Sequence, residues 1–305
     1  MNDINRRRFL KTGIAAGAAL SLSKSSKAQD IPFFDGPDYD LVAVKGGEPG
    51  QMYDLGITSM GGLGLFVNKG DTVVVKPNIG WDTPPERAAD TNPDLVRRII
   101  ENCYEVGAKE VRVFDYTCND WENCYKNSGI EKAVKDAGGK VYQADLEKFY
   151  RQVSIPQGKK LKKEKVHELI LDSDKFINVP VLKDHGSAIL TIAMKNHMGI
   201  IWDRRYWHRN DLHQCIADFA TYIKPTLNIV DAYRVMKRNG PRGVSVDDVV
   251  KMKSLIISTD QVAADAAAAK IFGKEPEEIP YIRYAHEMGV GTMELDKLRI
   301  NRIKI

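Results

Sequence analysis

Short β-branched apolar runs recur along this chain, separated by helix-length amphipathic stretches, and that cadence restricts the fold more than any other feature. Val73-Val74-Val75 is the first clear buried run. Pro93 to Val106 follows with helical spacing, with Leu95, Ile99 and Tyr104 among its inward positions and Gly107 as its stop. Val111-Arg112-Val113-Phe114 reads as the next strand, and Ile130 to Ala137 as a helix closed by Gly138-Gly139. Val141 to Gln143 is short and strand-like, and the Lys-rich segment Gln157 to Lys165 reads as a solvated loop or hairpin edge. Strand character returns at Phe176 to Val179, Leu227 to Val230 and Leu255 to Ile257, with helices over Leu212 to Tyr222 and Val262 to Phe272. Strand, helix, strand at this interval predicts an α/β fold of three layers, a mostly parallel sheet with helices on both faces. The 305 residues are 43% hydrophobic and 28% charged, enough apolar material for one α/β domain over residues 29–305.

Residues 1–28 stand apart. Asn5-Arg6-Arg7-Arg8-Phe9-Leu10-Lys11 resembles a twin-arginine export signal, although Asn5 replaces the usual Ser or Thr. A weakly hydrophobic Ala- and Gly-rich stretch, Thr12 to Leu22, follows, and Ser26-Lys27-Ala28 offers small residues for a signal peptidase. The resemblance implies the twin-arginine export machinery as a partner and a periplasmic or otherwise exported destination. It also raises the prospect of a bound cofactor, since that route carries folded proteins. The formal charge of +4 belongs to the leader: its six Lys and Arg against Asp3 give +5, leaving −1 for the remainder. The composition therefore gives no support to a nucleic-acid partner. No other apolar run is long enough to span a bilayer, so no stable membrane insertion is expected once the leader is removed. Cys103, Cys118, Cys124 and Cys215 lack C-x-x-C spacing, so no iron–sulfur cluster or zinc ribbon is expected. Cys118 and Cys124 are close enough to bridge, or else are half-buried thiols.

The strand ends carry the chemistry. Val73-Val74-Val75 runs into Lys76-Pro77-Asn78, Val111 to Phe114 ends at Asp115, and Phe176 to Val179 leads on to Lys183 and His185. Leu227 to Val230 ends at Asp231, and Leu255 to Ser258 reaches Asp260. In a parallel sheet these carboxyl ends share one rim, where α/β proteins bind ligands. Asp260, just before a helix, is the strongest candidate for a simple cap. Histidine is concentrated as well: His185, His197, His208 and His213 are four of the chain's six. A divalent metal held by two or more of them with Asp231 or Asp115 is chemically sensible, although none shows the i, i+4 spacing of a helical pair. Lys195 and Asn196, with Lys76, Asn78 and Lys183, supply cationic and amide donors suited to a carboxylate or phosphate. Gly61-Gly62-Leu63-Gly64 fits no nucleotide-binding pattern.

Taken together, these blocks resemble a known family. They are Val75-Lys76-Pro77-Asn78, Asp90-Thr91-Asn92-Pro93, Gly107-Ala108 with Asp115, and Asn178 through His185. Leu190-Thr191, Lys195-Asn196-His197-Met198-Gly199, His208, Asp231-Ala232, Gly240-Pro241 and Asp260 with Ala264-Asp265 continue the series. The chain is similar, over about residues 73–273, to the bacterial and archaeal family built on domain of unknown function 362. The resemblance implies an α/β fold and shared site positions and little about the reaction. Many relatives carry two four-iron clusters that this chain lacks.

Three functions fit these features. The first is a metal-dependent enzyme acting on a small anionic substrate, with Lys76, Asn78, Lys183, Lys195 and Asn196 as its catalytic and anion-orienting candidates. Its metal ligands would come from His185, His197, His208, His213 and Asp231. The second is a non-catalytic metal or cofactor carrier. The third is an oxidoreductase with a bound organic cofactor.

Overall fold

The computed structural model describes residues 37–305. The twin-arginine motif, the small-residue cleavage site and the start of the linker lie outside the described residues. In chain order, strand β1 (Leu41–Lys45) precedes helix α1 (Pro49–Ser59), and β2 (Thr72–Pro77) precedes α2 (Pro93–Glu105). Next come β3 (Glu110–Val113), α3 (Trp121–Asn127), α4 (Ile130–Asp136), β4 (Lys140–Val141), β5 (Tyr150–Ser154) and β6 (Lys163–His167). A short α5 (Glu168–Leu171) leads to β7 (Lys175–Val179), β8 (Val181–His185), β9 (Ile189–Thr191) and α6 (Ala193–Asn196). The chain closes with α7 (Arg204–Arg209), α8 (Leu212–Tyr222), β10 (Leu227–Met236), β11 (Val249–Ser258), α9 (Gln261–Phe272), α10 (Pro280–Glu287) and β12 (Ile300–Lys304).

The main sheet runs β12-β1-β11-β10-β7-β2-β3-β4. From β10 through β4 every neighbour is parallel, whereas β11 lies antiparallel to both β10 and β1. Side chains alternate between the two faces, and each face builds its own core. Val73 and Val75 join α1 to α4 in one apolar cluster, while Val74 and Phe176 join α5 to α10 in the other. The α/β architecture expected from the cadence is the one observed: helices cover both faces of a mostly parallel sheet.

Local chemistry explains the elements. In α2, Pro93 occupies the first turn, where its missing N–H costs nothing, and the Asn92 side chain accepts from the Asp94 N–H. Leu95, Val96, Ile99, Ile100 and Cys103 then form one buried stripe. The Lys-rich segment proves to be the turn and second strand of an exposed β5–β6 hairpin.

Two features were not anticipated. At Pro180 the chain leaves β7 and continues as β8, which pairs with the upper half of β10 and folds back on β9. This hairpin stands as a wall above the carboxyl rim. The second concerns Asp260. Because β11 runs antiparallel, its carboxyl end reaches the opposite rim, so Asp260 is not part of the cleft. It caps α9 by accepting from the Val262 and Ala263 N–H groups at 2.7 and 3.1 Å.

Candidate functional site

The rim is organised from below by a buried polar floor. Lys76, at the end of β2, is fully buried, and its Nζ lies 2.9 Å from Asp115 Oδ1 just beyond β3. The same ammonium donates to the Asn196 carbonyl at 2.8 Å and to Asn196 Oδ1 at 2.7 Å. Burial pushes the Lys76 pKa down, and the Asp115 carboxylate offsets it. Asp115 Oδ2 accepts from the Ile79 N–H at 2.6 Å. Asn196 Nδ2 donates to Asn178 Oδ1 at 2.9 Å, and Asn178 Nδ2 donates to Asn228 Oδ1 and to the Ala193 carbonyl, each at 3.0 Å. An amide chain thus links three elements of the rim, from α6 through β7 to β10.

Two further contacts fix this floor. Asp265 in α9 is fully buried and accepts from the Ala193 and Met194 N–H groups at 2.6 and 3.1 Å, anchoring the start of α6. Gly199 packs its backbone directly on the ion pair: a Cβ there would fall 1.6 Å from Asp115 Oδ1 and 2.6 Å from Lys76 Nζ. No side chain fits at that position.

Above the floor lies a cavity of about 70 Å³ lined by Asn78, Asp115, Lys183, His185, Lys195 and Asn196, among others. Lys183, on the β8 wall, donates to Asn78 Oδ1 at 3.0 Å and also to the Ala89 carbonyl. Asn78 Nδ2 donates to Asn196 Oδ1 at 2.9 Å. Arg204 closes one side, donating to the Tyr116 and Thr117 carbonyls at 2.9 and 2.7 Å while lying 4.0 Å over the Tyr116 ring. Lys195 differs from all of these. It is 9% exposed, lines the cavity and has no hydrogen-bond or ion-pair partner among the described residues. Burial lowers its pKa to about 7; Cys118, which also lines the cavity, opposes that shift, and Lys183, Arg204 and Lys76 add to it. Burial also lowers the pKa of Lys183 and raises that of the nearby Asp90, whose carboxylate is held by the Trp81 N–H and the Thr83 hydroxyl.

His185 is a neutral wall residue. Its Nδ1 accepts from the Ser187 and Ala188 N–H groups, both at 3.1 Å, so the ring proton sits on Nε2. Burial, with Lys195 and Lys183 beside it, drives its pKa down to about 2.

Of the residues proposed from sequence, Asn78, Lys183, Lys195 and Asn196 meet at the cavity, and Lys76 lies beneath it. Lys76 does not reach the cavity, because its donors are all engaged in the floor. The expected metal-ligand set is not assembled. His197 is fully buried between the Phe176 and Phe219 rings, 6.1 Å from each. His213 stacks on Tyr281 at 5.9 Å, away from the cavity lining. Asp231 accepts from the Asn92 and Tyr233 N–H groups at 2.8 and 2.9 Å, tying β10 to the start of α2. Only His185 and His208 face one another, with ring centroids 6.5 Å apart, and Nδ1 of His185 is already engaged. Among the described residues no group of three or more His, Cys, Asp or Glu is placed to hold a metal ion. Cys118 and Cys124 are both free: Cys118 is exposed beside Arg204, and Cys124 is buried in the α3 core.

Sequence reasoning missed Arg204, and it named Asn178 and Asp265 only within the family blocks, without the anchoring roles they have here. Arg204 lies in an aromatic stretch that reads as ordinary packing. Asn178 sits inside a β-run, where a single Asn is the one visible signal.

Tyr116, Cys118 and Arg204 also border a second, wider cleft of about 1070 Å³ beside the β5–β6 hairpin. Among the described residues no helix is long and apolar enough to cross a membrane.

A model for a domain of unknown function (DUF362) matches residues 73–270, and one for the twin-arginine translocation pathway signal sequence matches residues 3–23. The chain is 26% identical over 246 residues to the thylakoid-associated protein sll1697 of Synechocystis sp., covering 76% of this chain and 72% of that one. A crystal structure of a Thermotoga maritima protein aligns with 76% of this chain at a TM-score of 0.44 and 13% identity. The aligned region spans 59% of that protein's chain. The first match runs from β2 through almost all of α9, taking in every part of the cavity described above: the chain belongs to the DUF362 family and carries a twin-arginine signal that directs it to export.

Proposed function

We propose that the mature chain binds a small anionic molecule, through a carboxylate or phosphate group, in the cavity above the Lys76–Asp115 floor. The observation that carries this reading is the excess of cations in a confined space. Lys195 and Arg204 line the cavity together with Lys183, beside which the buried Asp90 lies, while the lining carboxylate, Asp115, is already matched by Lys76. A buried ammonium without a counter-ion is costly to the fold, and an anion entering beside it removes that cost. Asn78 and Asn196 add fixed amide dipoles, and the neutral His185 ring adds an N–H donor.

Titration calorimetry of the leaderless chain with sulfate, acetate and pyruvate tests this reading. Saturable binding with proton uptake near pH 7 is expected, because an anion raises the Lys195 pKa from its lowered value of about 7. Absence of saturable binding by all three anions in the folded protein overturns it.

A further inference from the structure

The cavity holds two kinds of lysine. Lys183 is fixed by Asn78 Oδ1 and the Ala89 carbonyl. Lys195 is more than nine-tenths buried, lines the same space and is bonded to nothing among the described residues. It is carried on α6, whose start is pinned by Asp265 and whose next residue, Asn196, is bonded on three sides to Lys76, Asn78 and Asn178. The backbone that presents the amine is therefore rigid, while the amine itself is uncommitted. A lysine that is desolvated and set beside other cations is the arrangement that supplies a neutral, nucleophilic amine near neutral pH. Its neighbours, Lys183 and Arg204, remain as charges to hold a carboxylate.

We propose that Lys195 condenses reversibly with the carbonyl of a short-chain 2-oxo acid whose carboxylate is held by the cationic wall. The Nζ lone pair attacks the carbonyl carbon, and the C–O bond then breaks as the C=N bond completes. Both hydrogens of the neutral amine leave with the carbonyl oxygen as water, so no oxidant or reductant is required. Size agrees with this class: a cavity of about 70 Å³ has room for roughly five or six water-sized groups at ~10–15 Å³ apiece. The lowering of the Lys195 pKa to about 7 makes a substantial fraction of the amine neutral at physiological pH.

This inference rests on the cavity's accepting an anion, and the experiment separates the two. The leaderless chain is incubated with pyruvate and sodium cyanoborohydride, digested, and its lysines mapped by mass spectrometry. Sulfate, and lactate as the analogue without a carbonyl, are titrated in parallel. The expected result is a reduced pyruvate adduct concentrated on Lys195, suppressed by excess sulfate in the unmutated protein and lost in Lys195→Arg. The arginine variant retains the charge and is expected still to bind sulfate. Saturable lactate or sulfate binding with no pyruvate adduct on Lys195 overturns the imine and leaves the anion site standing. Adducts spread evenly over surface lysines, unaffected by sulfate, also overturn the imine. If neither anion binds and no adduct forms, both readings fall. The sulfate competition uses unmutated protein, so misfolding of the variant does not blur the outcome.

Discussion

Lys76 and Lys195 are two lysines of one site, both buried, and they differ in almost every other respect. Lys76 has three oxygen partners, one of them a carboxylate, and its ammonium is enclosed by the floor it organises. Lys195 has no partner and looks into the cavity. Burial alone does not distinguish a structural lysine from a ligand-directed one; the distinction lies in whether the fold supplies a counter-charge. The floor is closed and its charges are paired, whereas the cavity above it is open and electrostatically incomplete. Incompleteness of that kind is costly to a fold and is kept where something binds.

The sharpest way to break the comparison is to remove Lys76. Lys76→Met leaves Asp115 buried and uncompensated, and urea or thermal unfolding is expected to show a loss of ~3–5 kcal/mol. If stability is unchanged, the floor is not structural. Gly199→Ala attacks the same ion pair sterically, and its cost is expected near or above the upper end of the ~1–3 kcal/mol typical of overpacking. A fully stable Gly199→Ala protein would mean that the backbone there yields freely.

Lys195→Met should behave in the opposite sense. Without ligand it is expected to stabilise the fold by on the order of 1 kcal/mol or more at pH 6, while anion binding disappears. The sign follows from linkage. The folded-state pKa of Lys195 is depressed from 10.5 to about 7, so the folded protein binds fewer protons than the unfolded chain between those values. The penalty is complete below about pH 7 and absent above about 10.5, so its relief raises stability as pH climbs through that window. Unfolding of the unmutated and Lys195→Met chains compared across that range isolates this contribution, and parallel curves would refute it. The smallest effect is expected at the wall. His185→Ala removes the acceptor for two backbone N–H groups and costs about 1 kcal/mol. Asn, whose side-chain oxygen accepts similarly, should recover much of that loss in a melting experiment.

How far the sequence revealed this contrast is itself instructive. The strand and helix cadence was legible because burial on both sheet faces forces apolar runs, and caps such as Asn92 and Asp260 announce their helices. Strand order was not. Nothing local in Leu255 to Ser258 says that this strand runs against β10, and Asp260 was therefore placed at the wrong rim. The grouping of Asn78 with Lys183 followed from one rule about carboxyl rims, Lys195 and Asn196 came from the donor-rich segment after β9, and these three chain segments do meet there. Their roles were opaque. A lysine bonded to Asp115 and a lysine left unbonded look identical in a string of letters, since the partner lies 39 positions away in one case and is not found among the described residues in the other. The histidines misled for a related reason. Four within a short span suggested convergence, but His197 and His213 face apolar rings that belong to other elements.

The β8–β9 hairpin that begins after Pro180 has an implication for the life of the molecule. Its wall, the β2 and β3 ends beneath it and the short helix bearing Lys195 come from stretches spread over more than a hundred residues. A fragment that lacks any of these stretches lacks part of the pocket's lining. For a polypeptide sent across a bilayer by a route that accepts finished tertiary structure, the cavity is therefore complete before departure. On the anion-binding proposal, a ligand taken up on the inner side would travel with the folded chain as cargo.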